Sequence, residues 1–91
     1  MPVSLALELE GARPNPASGA LWVAFTLPDG AEARLELFDL AGRRLAAREV
    51  GTRGAGRHLL RLDDGGLPSG VYWAALTRGA RTLRARVAIV Q

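Results

Sequence analysis

Residues Ala33–Val50 read Ala-Arg-Leu-Glu-Leu-Phe-Asp-Leu-Ala-Gly-Arg-Arg-Leu-Ala-Ala-Arg-Glu-Val, and the period of this stretch decides the fold. Leu35 and Leu37 alternate with Arg34, Glu36 and Phe38. Successive side chains of an extended strand point to opposite faces, so this alternation sets one face on a core and the other in water. Asp39-Leu40-Ala41-Gly42 follows, with Asp at the first turn position and Gly at the fourth. That suits a type I turn closed by a left-handed residue, the three-residue hairpin, with the Asp39 carboxylate accepting N–H groups two or three residues on. Arg44–Val50 reads as a weaker strand.

The same period of two recurs on both sides. Leu5, Leu7 and Leu9 alternate with Ser4, Ala6 and Glu8. Leu21, Val23, Phe25 and Leu27 alternate with Trp22, Ala24 and Thr26, and Leu83, Ala85, Val87 and Ile89 with Arg84, Arg86 and Ala88. Arg57–Leu62 and Val71–Thr77 fit two weaker strands. The breaks, Gly11–Ser18, Pro28–Ala31, Gly51–Gly56, Asp63–Gly70 and Arg78–Ala80, carry the Gly, Pro and Asp that punctuate strands. Gly79 offers a positive φ to close the last hairpin. Seven short strands about ten residues apart predict an all-β fold, an immunoglobulin-like antiparallel β-sandwich occupying residues 1–91 as one domain. Its expected core is Leu7, Val23, Phe25, Leu35, Leu37, Leu60, Leu62, Val87 and Ile89. No segment keeps a helical period.

Composition narrows the function. A chain of 91 residues buries only about 60–65% of its unfolded surface, so the core is thin. Absence of cysteine excludes a disulfide, a thiolate metal site and a cysteine nucleophile. The twelve basic residues are all arginine, scattered among nine acids, for a net charge of +3. That balance reads as a solvated surface, whereas a nucleic-acid groove needs clustered basic residues interleaved with stacking aromatics. No apolar run approaches the ~20 residues that span a bilayer. Met1-Pro2-Val3-Ser4 has neither a basic nor a long apolar region and does not read as a signal peptide, so if the domain is exported its address is expected elsewhere.

No residue pattern points to catalysis, a cofactor or a metal. His58 is the single histidine, and a lone imidazole makes neither a triad nor a metal site. Asp63-Asp64-Gly65-Gly66 reads as a polar turn, since calcium wants six to eight oxygens, roughly, and this run supplies too few. Trp22 and Trp73 oppose the parity of some core positions, so one of them is expected at the surface, capping the rim or stacking on a partner or sugar.

Several segments, in order, resemble the C-terminal sorting domain of the type IX secretion system and the related immunoglobulin-like domain of flagellar hook-capping proteins. They are Arg13-Pro14-Asn15-Pro16, Phe25-Thr26-Leu27-Pro28, Ala33 through Arg43 with its Asp-x-x-Gly-Arg hairpin, Gly56-Arg57-His58, and Leu67-Pro68-Ser69-Gly70-Val71-Tyr72. An alternating strand near Val90 follows. The resemblance implies a non-catalytic module that directs export of an N-terminal cargo through the periplasm to the cell surface or beyond. Its implied partners are the export machinery and a sortase-like protease that cuts upstream. The family commonly has a basic residue, often lysine, in the last strand, where this chain offers Arg84 and Arg86. Candidate recognition residues are Asn15, Pro16, Gly70, Tyr72, Arg84 and Arg86, with Asp39 and Gly42 as turn residues. For Pro14-Asn15-Pro16 an extended edge segment is the simpler reading. A spacer or carbohydrate-binding module of a surface protein is the alternative function.

Overall fold

A computed structural model describes residues 5–91. Seven strands run in order: β1 (Glu8–Ala12), β2 (Leu21–Leu27), β3 (Ala33–Phe38), β4 (Arg44–Glu49), β5 (Gly56–Asp63), β6 (Gly70–Arg78) and β7 (Arg81–Ile89). The one helical piece among the described residues is a 3-10 turn at Gly51–Arg53. The strands form two antiparallel sheets, β1-β2-β5 and β4-β3-β6-β7, packed as a sandwich.

The period of two is what fills the space between them. Leu21, Val23, Phe25 and Leu27 on β2 face Leu35 and Leu37 on β3, Ala74 and Leu76 on β6, and Val87 and Ile89 on β7, all within one buried cluster. Of the nine residues expected in the core, eight are buried and Leu60 is half-buried against the cluster. Leu60 lies on β5, an edge strand, where solvent reaches the core face from one side.

The first strand differs from its expected place. Ser4 lies outside the described residues, and pairing with β2 begins at Glu8, near the end of the Leu5–Leu9 run, rather than at its start. It continues through Gly11 and Ala12 because a β-bulge interrupts the register between Leu9 and Gly11, with Gly11 at φ 92°. The extra residue keeps Leu7 and Ala12 in the core on either side of it.

The position of β4 separates this sandwich from the constant-type immunoglobulin order. There the fourth strand joins the first sheet beside the fifth. Here β4 pairs with β3, giving three strands against four. The cause is local. Asp39 and Arg43 close a loop of only three residues: the Asp39 N–H donates to the Arg43 carbonyl at 3.0 Å, and the Gly42 N–H to the Asp39 carbonyl at 3.0 Å. So short a connection leaves no chain for a crossover. The Asp39 carboxylate accepts the Arg43 N–H at 2.9 Å, and Gly42 sits at φ 86°. The chain changes sheets after β4, through the Gly51 turn, where packing is tightest: a Cβ on Gly51 would lie 2.3 Å from the Ala31 carbonyl oxygen and 2.9 Å from the Ala33 nitrogen.

Two glycine variants separate these effects. Gly42→Ala, with open space around its new Cβ, is expected to cost about 1 kcal/mol from conformational strain alone. Gly51→Ala must push backbone aside and is expected to cost more, at least about 2 kcal/mol. Urea denaturation compares them; equal costs would contradict the close approach at Gly51.

Candidate functional site

The last strand is an edge of the four-stranded sheet, and its turn fixes which backbone groups face outward. Gly79 and Ala80 form a two-residue connection, with Arg78 paired to Arg81. Odd positions of β7 therefore bond to β6, while Thr82, Arg84, Arg86 and Ala88 aim their N–H and C=O groups away from the sheet. The outermost of these are taken. The Ala17 N–H donates to the Ala88 carbonyl at 2.7 Å, and the Val90 N–H to the Ala17 carbonyl at 2.8 Å. The Ala88 N–H donates to the Asn15 side-chain oxygen at 3.2 Å. Residues 15–17 thus strap the C-terminal end of β7, with Ala17 and Ile89 forming a parallel bridge. Strand β1 leans on the same edge at Gly11, where a Cβ would lie 3.5 Å from that of Ala85 and 3.8 Å from the Arg86 carbonyl oxygen. Among the described residues no backbone bond reaches the outward groups of Thr82, Arg84 or Arg86, and of these Arg86 is the one β1 lies against.

The candidate residues fall in different settings. Asn15 is exposed but has its carboxamide oxygen in the strap, and Pro16 is exposed beside it. Gly70 opens β6 at the surface. Tyr72 is 7% exposed and packs in the core. Its hydroxyl donates to the Pro68 carbonyl four residues back, at 2.6 Å, as the tyrosine corner of immunoglobulin-like sandwiches does at the same strand. Tyr72 is therefore covered in the folded domain. Arg84 and Arg86 are exposed on the outer face, opposite Ala75 and Trp73 of β6.

The arginines divide into two groups. Arg13, Arg34, Arg43, Arg44, Arg57, Arg61 and Arg78 each pair with a carboxylate. Among the described residues the other five do not: Arg48, which donates to the Ala47 carbonyl, Arg53 in the 3-10 turn, and the three arginines of β7, Arg81, Arg84 and Arg86. Buried Glu36 is held between Arg34 and Arg44, both at 3.2 Å. Glu10 accepts from Arg57 at 2.7 and 3.1 Å and from Arg13 at 3.0 Å. Those hydrogen bonds lower its pKa from an ordinary 4.5 to about 2. The Arg78 guanidinium lowers that of Asp29. Three backbone N–H groups, from Ala33 foremost and then Thr52 and Gly51, lower that of Glu49.

Other polar residues serve local structure. His58 is half-buried beside Phe25, its Nε2 donating to the Gly54 carbonyl at 2.8 Å. Asp63 accepts the Gly65 and Gly66 N–H groups at 2.8 and 3.1 Å, as an Asx turn does. Trp22 is 38% exposed on the outer face of the three-stranded sheet, with the Arg61 guanidinium 5.8 Å from its ring centroid.

Sequence reasoning missed a shallow groove of about 350 Å³ on the outer face, lined by Phe38, Asp39, Leu40, Gly42, Trp73 and Arg84. Leu40, at the hairpin tip, is 69% exposed. A leucine inside a turn that does not require one was the available signal.

Fold and site together define a class: an all-β sandwich in which most ionised side chains serve turns, edges and ion pairs, and whose last strand presents three arginines without a carboxylate partner among the described residues. The secretion system C-terminal sorting domain family matches residues 13–90. The chain belongs to that family, the C-terminal sorting domains of type IX secretion, which is a sorting family and not a catalytic one. No curated protein matches the chain.

The strap, the corner and the carboxylates each give an expected outcome. Asn15→Ala should speed hydrogen exchange at the Ala88 amide while leaving amides of β2 unchanged. Tyr72→Phe should cost about 1 kcal/mol by leaving the Pro68 carbonyl without its donor. Because Glu10, Asp29 and Glu49 have depressed pKa values when folded, their contribution is present above the ordinary carboxylate range. It is lost as pH falls, for Glu10 between 4.5 and about 2. Thermal melts should show Tm falling through that window, and Glu10→Gln should flatten the fall.

Proposed function

We propose that this chain is a C-terminal sorting module that carries an N-terminal cargo out of the cell through the type IX system, docking by its last strand. The observation that carries this reading is the set of unpaired, exposed arginines on β7, in a molecule whose other arginines are mostly neutralised locally. Arg84 and Arg86 supply the positive charge for which the family often uses lysine. The module folds as one domain, passes through the periplasm in transit, and is removed by a sortase-like protease cutting upstream. No residue of the module needs catalytic chemistry, since the protease acts on it. No helix of the described residues is long and apolar enough to cross a membrane.

The geometry favours side-chain contact over strand addition as the mode of docking. With the strap at Ala88 and β1 against Arg86, the clear edge is confined to Thr82 and Arg84. Added strands are usually about three residues or longer, so backbone extension gains little there. Side chains on the outer face are left as the main contact. Trp22 favours the second reading, a carbohydrate-binding module, because exposed indoles stack on sugars. The Arg61 guanidinium over its ring competes for that surface.

The test is export of a passenger fused ahead of the domain in a type IX-competent bacterium. The intact domain is expected to export it. Arg84→Glu with Arg86→Glu is expected to abolish export, while stability changes by no more than about 0.5 kcal/mol at each surface site. A folded, charge-reversed domain exporting at the parental level would remove the arginine pair from recognition. Failure of the intact domain with every passenger would favour the carbohydrate-binding or spacer role.

A further inference from the structure

We infer that the groove beside Leu40 is the specificity pocket of the docking face, and that it seats an apolar side chain of an acidic peptide segment on the export partner. The partner's identity as export machinery rests on the sorting reading; the chemistry of the groove does not.

Three observations converge. Phe38 on β3, Trp73 on β6 and Arg86 on β7 are successive neighbours in one cross-strand row of the outer face. The Asp39–Gly42 turn bends beside this row and presents Leu40, which is 69% exposed. Phe38, Leu40 and Trp73 give the groove apolar walls, and Arg84 closes it on the β7 side. At about 350 Å³ the groove is at the small end of ligand sites, which run from about 300 to 1,000 Å³. It suits one anchoring side chain better than a small molecule, because only one free charged group converges on it.

Charge selects the partner. Arg84 lines the groove and Arg86 lies beside it, opposite Trp73, and neither has a carboxylate partner among the described residues. Asp39, the one acid in the lining, is bonded to the Arg43 N–H and paired with the Arg43 guanidinium at 3.2 Å. Glu36, farther along the face, lies between Arg34 and Arg44. The free charge is therefore positive. An aromatic wall next to arginine, rimmed by polar residues, is the composition of interface hot spots. The occupant is a peptide with an apolar residue flanked by Asp or Glu.

Titration of the full chain, followed by amide and indole NMR signals, tests this directly. The probe is an acetylated pentapeptide, Asp-Asp-Phe-Asp-Asp. Saturable shifts are expected at Leu40, Trp73 and Arg84. Replacing the peptide's Phe by Ala, or its Asp residues by Lys, should weaken binding about tenfold, as should Leu40→Ser or Arg84→Gln in the domain. Leu40 and Arg84 are exposed, so both variants should keep the parental Tm, and Leu40→Ile should restore binding. Shifts confined to another surface, or equal binding of the Lys peptide, overturn the inference. So does an oligo(dT) strand that displaces the peptide from the groove. In the export assay Leu40→Ser should reduce passenger export about tenfold; parental export by a folded Leu40→Ser domain also overturns it. If the intact domain exports nothing, the sorting reading fails, and the peptide titration still decides the groove.

Discussion

The two backbone bonds that tie Ala17 to Ala88 and Val90 fasten the β1–β2 connection to the end of the last strand, and most of what is unusual here depends on them. An edge strand with unsatisfied N–H and C=O groups is a template for unwanted pairing. Covering it with residues 15–17 spares the domain another strand. Further polar bonds fasten the same end. The Gln91 N–H donates to the Ser69 hydroxyl, and its side-chain amide donates to the Gly65 and Leu67 carbonyls. Tyr72 holds Pro68. A sandwich this small has few apolar layers to lock its ends, so directional bonds supply the locking that a larger core would give.

Exclusive use of arginine is intelligible against this background. Arg57 grips Glu10 through two nitrogens, and Arg78 does the same to Asp29. Such forked contacts need a planar guanidinium, which lysine lacks. Both join segments distant in sequence, β5 to β1 and β6 to the β2–β3 turn. As exposed pairs they fix geometry more than they add stability. Among the described residues the arginines of β7 have no such carboxylate partner, which is the feature the proposed docking draws on.

How far the sequence carries can be judged residue by residue. Strands such as β2 and β3 were legible because their alternation is nearly unbroken and their inner residues lie fully in the core. The start of β1 was misplaced because a bulge at Glu10–Gly11 breaks the period that reveals a strand. The strap was not legible at all: Ala17 has no side-chain signal, and its partners lie about seventy positions away. The resemblance makes Tyr72 a candidate recognition residue, yet parity with Ala74 and Leu76 puts it inside. The groove escaped because it joins a turn, two central strands and an edge, a conjunction that only register defines.

Alternation also separates folding from docking along β7. Leu83, Ala85, Val87 and Ile89 have their side chains toward the core, and their peptide groups bond β6. The even positions turn both side chain and peptide group outward. The strap then claims Ala88, and Gly11 crowds Arg86. What remains for a partner is a short backbone stretch and a cationic, partly aromatic face. A partner reading that face senses side chains and not backbone, so its specificity is carried by charge and by the shape beside Trp73. Strand addition would tolerate many sequences, whereas a side-chain pocket discriminates among them. A sorting signal has to be told apart from every other exported β-domain with an edge strand, and under the proposed docking the strapped edge favours the more selective surface.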